Sequence, residues 1–305
     1  MPKLKFVLFV DVEGDFYYYV PSPHFSKKEV FKWKINRIIG KLFRYANPTI
    51  KGIKNIVNTL NENNFPACFC IAGHLYLTEC NGWQHFSEKK PENKWYYNKI
   101  GNDWYYWDLG RNSKTNHGFY FGDFIKKKMK GNKLFSFGLH GFAHEALTLE
   151  KKEVVESIVK SGAEASKKIG IKSENFAAPF DMVSDEKKPN VLFDILKKYK
   201  IKNVIYSGLD NGFERKRFFD VRKILKNEKL NMIWLSDYFE GSFSNKKMKR
   251  VLEKINKNIK EDAVYCLATH DFTHKTNKNI LKLVKYLKKM EKEKNIEILN
   301  LNYLK

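Results

Sequence analysis

A single α/β domain closed into a barrel is the fold class that this sequence predicts, and three observations predict it. Short apolar runs alternate with longer segments of helical periodicity along most of the 305 residues. About seven or eight such runs can be counted, enough to close a ring of strands rather than to build two small sheets. Three of the runs end on Asp, Glu or His, as barrel strands do where their C-terminal ends assemble a site. No internal repeat or low-complexity linker divides the chain, so residues 1–305 read as one domain, with 81–125 as an insertion within it.

The elements follow in order. Phe6 to Val10 is five apolar residues closed by acidic ones, the pattern of a strand buried on both faces. Pro48 to Asn63 carries Ile50, Ile53, Ile56, Val57 and Leu60 at helical spacing. Ala67 to Ala72, between Pro66 and Gly73, is a second strand, so the first 73 residues contain one strand–helix–strand unit with parallel strands. After the insertion come a strand at Leu134–Leu139, a helix at Lys151–Ile169 and a short strand at Asn175–Ala178. A helix at Lys188–Tyr199 precedes strands at Asn203–Tyr206 and Met232–Leu235. A helix at Lys246–Asn258, a strand at Ala263–Ala268, a helix at Asn277–Glu293 and a strand at Ile296–Leu301 complete the chain.

Composition narrows the function classes. The formal net charge is +23, but the lysines are spread over most of the helices and no nucleic-acid-binding motif accompanies them, so the charge reads as a background and no nucleic-acid partner is expected. No run approaches the ~20 apolar residues of a membrane span. The apolar run at Leu4–Val10 is too short for a secretory leader and meets Asp11 at once, so the cytoplasm is the expected location. Cys68, Cys70, Cys80 and Cys266 form no Cys-x-x-Cys pair and are expected as free thiols in or near the core.

The insertion, 81–125, is dense in aromatics, Trp104 and Trp107 among them, with little periodicity. A segment of this kind is either a lid whose rings stack on substrate or an irregular piece packed against the barrel.

Three features at strand ends carry chemistry. Asp11 and Glu13 lie on one side of an extended chain, so two carboxylates converge, with Asp15 in reserve. His140 and His144, directly after a strand, face one metal ion if the segment between them turns helically. With one carboxylate they would make a two-His, one-carboxylate site with open positions. His270 follows a third strand; a histidine titrates near neutrality, and Asp271 beside it is a carboxylate that could orient it as a general acid.

These segments, in order and spacing, resemble the motifs of the polysaccharide-deacetylase (NodB-homology) superfamily over nearly the whole chain outside the insertion. Phe9-Val10-Asp11-Val12-Glu13 resembles the first motif, in the branch where base and metal-binding acid are one residue apart. Pro66 to Gly73 resembles the second strand, and His140 to His144 the His-x-x-x-His motif, with Leu147 where its helix commonly begins. Phe176-Ala177-Ala178-Pro179 resembles the Arg-x-Pro motif, and Leu267 to His270 the Leu-x-x-His motif. The resemblance implies a distorted (β/α)7-type barrel and a metal-dependent hydrolase of amide C–N bonds. Asp11 would be the general base toward the attacking water and His270 the acid toward the leaving nitrogen. Glu13, His140 and His144 would hold a divalent ion, usually zinc, and backbone amides near Pro179 would contact the oxyanion. Glu13 stands where many members have Asp, and the motif's arginine is Ala177, leaving Arg217 or Arg222 to replace it.

The expected substrate is an N-acetylated sugar, as a small molecule or glycan; one linked to a diphosphate, and therefore acidic, would suit the basic chain. Hydrolysis of a cyclic amide or ureide is the near alternative. A degenerate barrel that binds glycan without turnover is the distant one, favoured by the missing arginine and opposed by the retained acids and histidines.

Overall fold

Seven parallel strands close into a ring. In this computed structural model, residues 3–16, 26–29, 31–32, 35, 50–80, 112, 114, 118–183, 191–206, 225–226, 230–239, 245–259, 263–274, 276, 278–293 and 295–304 are described. The ring runs β1 (Leu4–Val12), β2 (Ala67–Ile71), β3 (Phe135–Leu139), β4 (Ser173–Ala177), β5 (Asn203–Tyr206), β7 (Asn231–Tyr238) and β8 (Val264–His270), and β8 returns to β1. Around it lie α1 (Ile50–Glu62), α3 (Lys152–Lys168), α4 (Val191–Lys198), α5 (Asn245–Lys257) and α6 (Lys278–Lys292), with the short α2 (Gly122–Lys128) at the end of the insertion.

The ring is distorted where its first and second strands meet. β1 pairs with β2 only from Phe9 to Val12, and the same edge lower down, Leu4 to Phe6, is covered by β9 (Ile296–Ile298). β9 was expected as an ordinary strand to Leu301; it is instead a three-residue patch over the gap. A second patch, β6 (Leu225–Lys226), pairs antiparallel with the start of β7 and has no counterpart among the expected elements. Both cover main-chain edges that would otherwise stand open.

Alternation along the strands separates two cores. On β1, Leu4, Phe6, Leu8, Val10 and Val12 pack under the helices, with Ile53, Ile56, Val57 and Leu60 of α1. Val7 and Phe9 point into the barrel with Cys68, Cys70, Ala177, Ile205, Ile233, Cys266 and Ala268. Each such side chain removed from water contributes roughly 1.5–3 kcal/mol for the larger apolar types. Cys68, Cys70 and Cys266 are buried and all four cysteines are free, as expected. The lumen floor is polar: Asn231 Nδ2 donates to Asn203 Oδ1 (3.0 Å), Asn203 Nδ2 to Asn175 Oδ1 (2.8 Å), and Asn175 Nδ2 to the Phe137 carbonyl (2.9 Å). The three asparagines are paired in register across β4, β5 and β7, so each buried amide finds its partner on the next strand. Leu301 and Leu304 of the C-terminal turn join the lumen cluster beneath them.

Most of the insertion, Trp104 and Trp107 included, lies outside the described residues, as do Arg217 and Arg222. Its last part is structural: Phe119, Tyr120 and Phe121 are buried in the outer core beside His74, whose Nδ1 lies 2.9 Å from the Phe119 carbonyl. Among the described residues no helix is long and apolar enough to cross a membrane.

Candidate active site

The parity that sends Val7 and Phe9 into the lumen continues to Asp11 and Glu13 at its upper rim. On β8 the same parity runs Val264, Cys266, Ala268, His270, and β1 and β8 are paired so that Asp11 and His270 are opposite each other. β3 delivers His140 one residue past its end. Five side chains from three strands therefore meet above the lumen: Asp11, Glu13, His140, His144 and His270.

Their distances are short. Glu13 Oε1 lies 3.2 Å from His144 Nε2, 3.7 Å from His140 Nε2 and 3.4 Å from His270 Nε2. Asp11 Oδ1 is 3.3 Å from His140 Nδ1, and Asp11 Oδ2 is 3.8 Å from His270 Nε2. Glu13, His140 and His144 each offer a ligand atom within 4.8 Å of the others, and all three are buried. Asp15 is buried elsewhere: a Cβ on Gly118 would meet its carboxylate at 2.1 Å, so it packs against the end of the insertion. Its reserve role is thus not supported by its position; Glu13 is the carboxylate of the cluster.

The histidine pair converges by a route other than the helical turn expected of it. Residues 141–144 form a tight turn in which Gly141 (φ 67) and His144 (φ 63) are both left-handed. A Cβ on Gly141 would come within 2.6 Å of Glu145 Oε2 and 3.2 Å of the Pro179 ring, so only glycine fits. Glu145, fully buried, accepts from the amides of Phe142 (2.8 Å) and Ala143 (2.9 Å) and so pins the turn. The spacing of two histidines suggested a helix because i,i+4 is a helical contact; the glycine between them was the signal for a loop. Leu147 opens a 3-10 turn, Leu147–Leu149, and the helix itself begins at Lys152.

Asp271, expected to orient His270, instead faces the other way. Its Oδ1 and Oδ2 accept from the amides of Glu13 (3.1 Å) and Gly14 (3.2 Å), clamping the carboxylate loop of β1 to the end of β8. A sequence neighbour is not a spatial partner, since adjacent side chains on a strand point to opposite faces. Pro179 is buried in the 3-10 turn Pro179–Asp181, and the amides of Asp181 and Met182 are consumed by the Ala178 and Pro179 carbonyls. Asp181, Tyr238 and Phe180, all beside the site, were not singled out from the sequence; β7 runs to Tyr238, three residues past its expected end.

Electrostatics divide the acids. Burial pushes the Asp11 carboxyl up to about 7, against the pull of His140 and His270. Burial acts on Glu13 too, but His144, His140 and His270 outweigh it and hold that carboxyl well below the usual range. Burial lowers His144, outweighing its contact with Glu13, so its ring favours the neutral form that binds metals. Burial also acts downward on His140, where Asp11 and Glu13 prevail and raise it. The His140 Nδ1–H donates to the Ala177 carbonyl (3.0 Å), so that in the neutral ring Nε2 is the lone-pair nitrogen, and it faces Glu13. His140 Nε2 and Glu13 Oε2 are buried without a hydrogen-bond partner among the described residues. Buried polar atoms are rarely left so, and a carboxylate oxygen and an imidazole nitrogen facing one another fit a divalent cation between them.

Fold and site together define a class: a seven-stranded parallel barrel with a buried acid–histidine cluster at the C-terminal rim of its strands. Among solved structures, a protein described as a polysaccharide deacetylase from Mycobacterium smegmatis aligns over 99% of this chain and 88% of its own, with 12% identity and a TM-score of 0.58. A 4-alpha-glucanotransferase from Thermococcus litoralis aligns over 99% of this chain and 40% of its own, with 11% identity and a TM-score of 0.50. No family model and no curated protein matches. The chain has the distorted (β/α)7 barrel fold of the polysaccharide-deacetylase structures. The second likeness is to a protein of another activity, so the barrel alone does not fix the chemistry.

Proposed function

We propose that this protein is a metal-dependent hydrolase of a non-peptide amide bond, most simply a deacetylase of an N-acetylated sugar. The observation that carries the reading is the buried Glu13–His140–His144 cluster, with His140 Nε2 and Glu13 Oε2 unpartnered among the described residues, flanked by Asp11 and His270 within 4 Å. Glu13, His140 and His144 would hold the ion. A divalent cation there supplies Lewis acidity toward the amide carbonyl and makes water a better nucleophile near neutral pH.

The remaining steps fall to the chain's own groups. Asp11, near neutrality by virtue of its burial, accepts a proton from the attacking water. His270 Nε2, 3.8 Å from Asp11 Oδ2 and the most exposed of the three imidazoles, donates a proton to the departing nitrogen. A backbone amide near Pro179 would be the donor for a developing oxyanion. The motif's arginine position, 177, is an alanine inside the lumen cluster, and among the described residues the charged groups acting on Asp11 are His140, His270, Glu13 and Asp181. A diphosphate-linked sugar would suit the net charge of +23, and zinc and a cytoplasmic location belong to the same reading.

The test is acetate release from N-acetylglucosamine oligomers by the purified protein, with metal content measured on the same sample. About one zinc per chain and acetate release abolished by a chelator would support the reading. Stoichiometric metal without hydrolysis of any acetamide would leave a cyclic amide as the substrate class. Neither metal nor turnover would overturn it.

A further inference from the structure

The five residues from Ala177, the last of β4, to Asp181 touch every imidazole of the site or its support. The Ala177 carbonyl accepts from His140 Nδ1 at 3.0 Å, and the Phe180 ring meets the His144 ring edge-on at 4.4 Å. Asp181 reaches the third histidine through one intermediary. Both of its carboxylate oxygens lie 2.9 Å from the Tyr238 hydroxyl, which donates to them, and the Tyr238 ring is stacked on the His270 ring at 5.7 Å and 6°.

His270 needs such a support more than its neighbours do. Its side chain is 20% exposed, against 4% for His140 and 8% for His144, so packing alone restrains it least. Phe272 is a second ring neighbour, tilted at 34° and 5.0 Å away. Tyr238 reaches this position because the β7–β8 pairing shifts between Leu235 and Asp237, bringing Tyr238 level with Ala268. Asp181 reaches it because Phe180 and Asp181 are both left-handed, at φ 60 each. Consecutive non-glycine residues in that region persist only where surrounding contacts over-determine them, and such positions gather at functional sites.

We propose that Asp181 and Tyr238 are positioning residues that hold the His270 imidazole against Asp11 and Glu13, an inference that rests on the hydrolase reading above. Asp181 fixes the phenol, the phenol fixes the plane of the ring, and the ring edge then presents Nε2 to the two carboxylates.

The experiment uses the full chain and the variants Tyr238→Phe, Asp181→Gly and their double. Glycine keeps the left-handed backbone, so the carboxylate is removed without adding strain. Diethylpyrocarbonate modification of each histidine, followed by mass spectrometry at fixed pH, reads the restraint on the ring directly. With zinc supplied, kcat and KM for acetate release from an N-acetylglucosamine pentamer read its consequence. His270 should react several-fold faster in both single variants, the double should add little, and His140 and His144 should be unchanged. The kcat should fall about tenfold while KM stays within about twofold, as expected of a misaligned proton donor. An unchanged His270 rate in both single variants would overturn the proposal, and so would equal acceleration of all three histidines, which marks general loosening. If His270 alone is unmasked while the unaltered protein releases no acetate, the positioning role holds and the hydrolase reading fails.

Discussion

Replacing Glu145 by Gln should make the stability difference from the unaltered protein depend on pH in a predictable direction. The Glu145 carboxyl is fully buried, and burial pushes it from 4.5 to about 7 although the Phe142 and Ala143 amides both donate to it. An acid raised on folding stabilises the fold below its unfolded value and loses that contribution as pH rises toward its folded value. The interval from 4.5 to about 7, at about 1.4 kcal/mol per pH unit, corresponds to about 3 kcal/mol. Glutamine has no such dependence, and its single carbonyl accepts from one of the two amides, as the carbonyl of the protonated acid does. The variant should therefore be about as stable as the unaltered protein near pH 4.5 and should gain on it by about 3 kcal/mol between there and pH 8. Urea denaturation of the metal-free proteins across that range measures the difference, and the comparison cancels every group the two proteins share. A difference constant within about 1 kcal/mol, or one moving in the opposite direction, would refute the assignment of a buried, raised carboxyl at this turn.

Four further outcomes are expected. The protein should carry about one divalent ion per chain and lose it on His140→Ala or His144→Ala, measured by atomic emission; retention by the double variant would remove both as ligands. Asp11→Asn should keep the metal and lower kcat by about 10²–10⁴, whereas Glu13→Ala should weaken metal retention; equal metal loss in both would make Asp11 a ligand. Asp271→Ala should leave the amides of Glu13 and Gly14 without their acceptor, costing about 2–5 kcal/mol in denaturation and about 10–100-fold in metal affinity through the displaced Glu13. Trp104→Ala and Trp107→Ala should each raise KM several-fold with melting temperature and metal content unchanged, if their rings stack on substrate at about 0.5–1.5 kcal/mol apiece; a large fall in melting temperature with unchanged kinetics would make them packing residues.

Much of the site was legible because a strand's side-chain period is two. Val7, Phe9, Asp11 and Glu13 share a face whatever the register, so the convergence of two carboxylates needed only the strand assignment. His140 and His270 were legible as residues at the ends of apolar runs. What misled was adjacency: the spacing of His140 and His144 suggested a helical turn, and the pairing of His270 with Asp271 suggested a dyad. Gly141 and the alternation of β8 decide otherwise. Asp181 and Tyr238 were invisible, being 57 residues apart and brought together by a loop conformation and a register shift.

By itself the sequence determined the alternation of strand and helix and the placing of Asp11, His140 and His270 at the ends of strands, because these follow from local periodicity. The tertiary structure decided which edges β6 and β9 cover, that Asp271 clamps the Glu13 loop, that Glu145 pins the histidine turn, and that Glu13 rather than Asp15 joins the histidines. Those contacts join residues as far apart as 258 positions. They depend on how the ring closes and on main-chain angles that side-chain pattern does not encode, so only the folded barrel could choose among the partners the sequence offered.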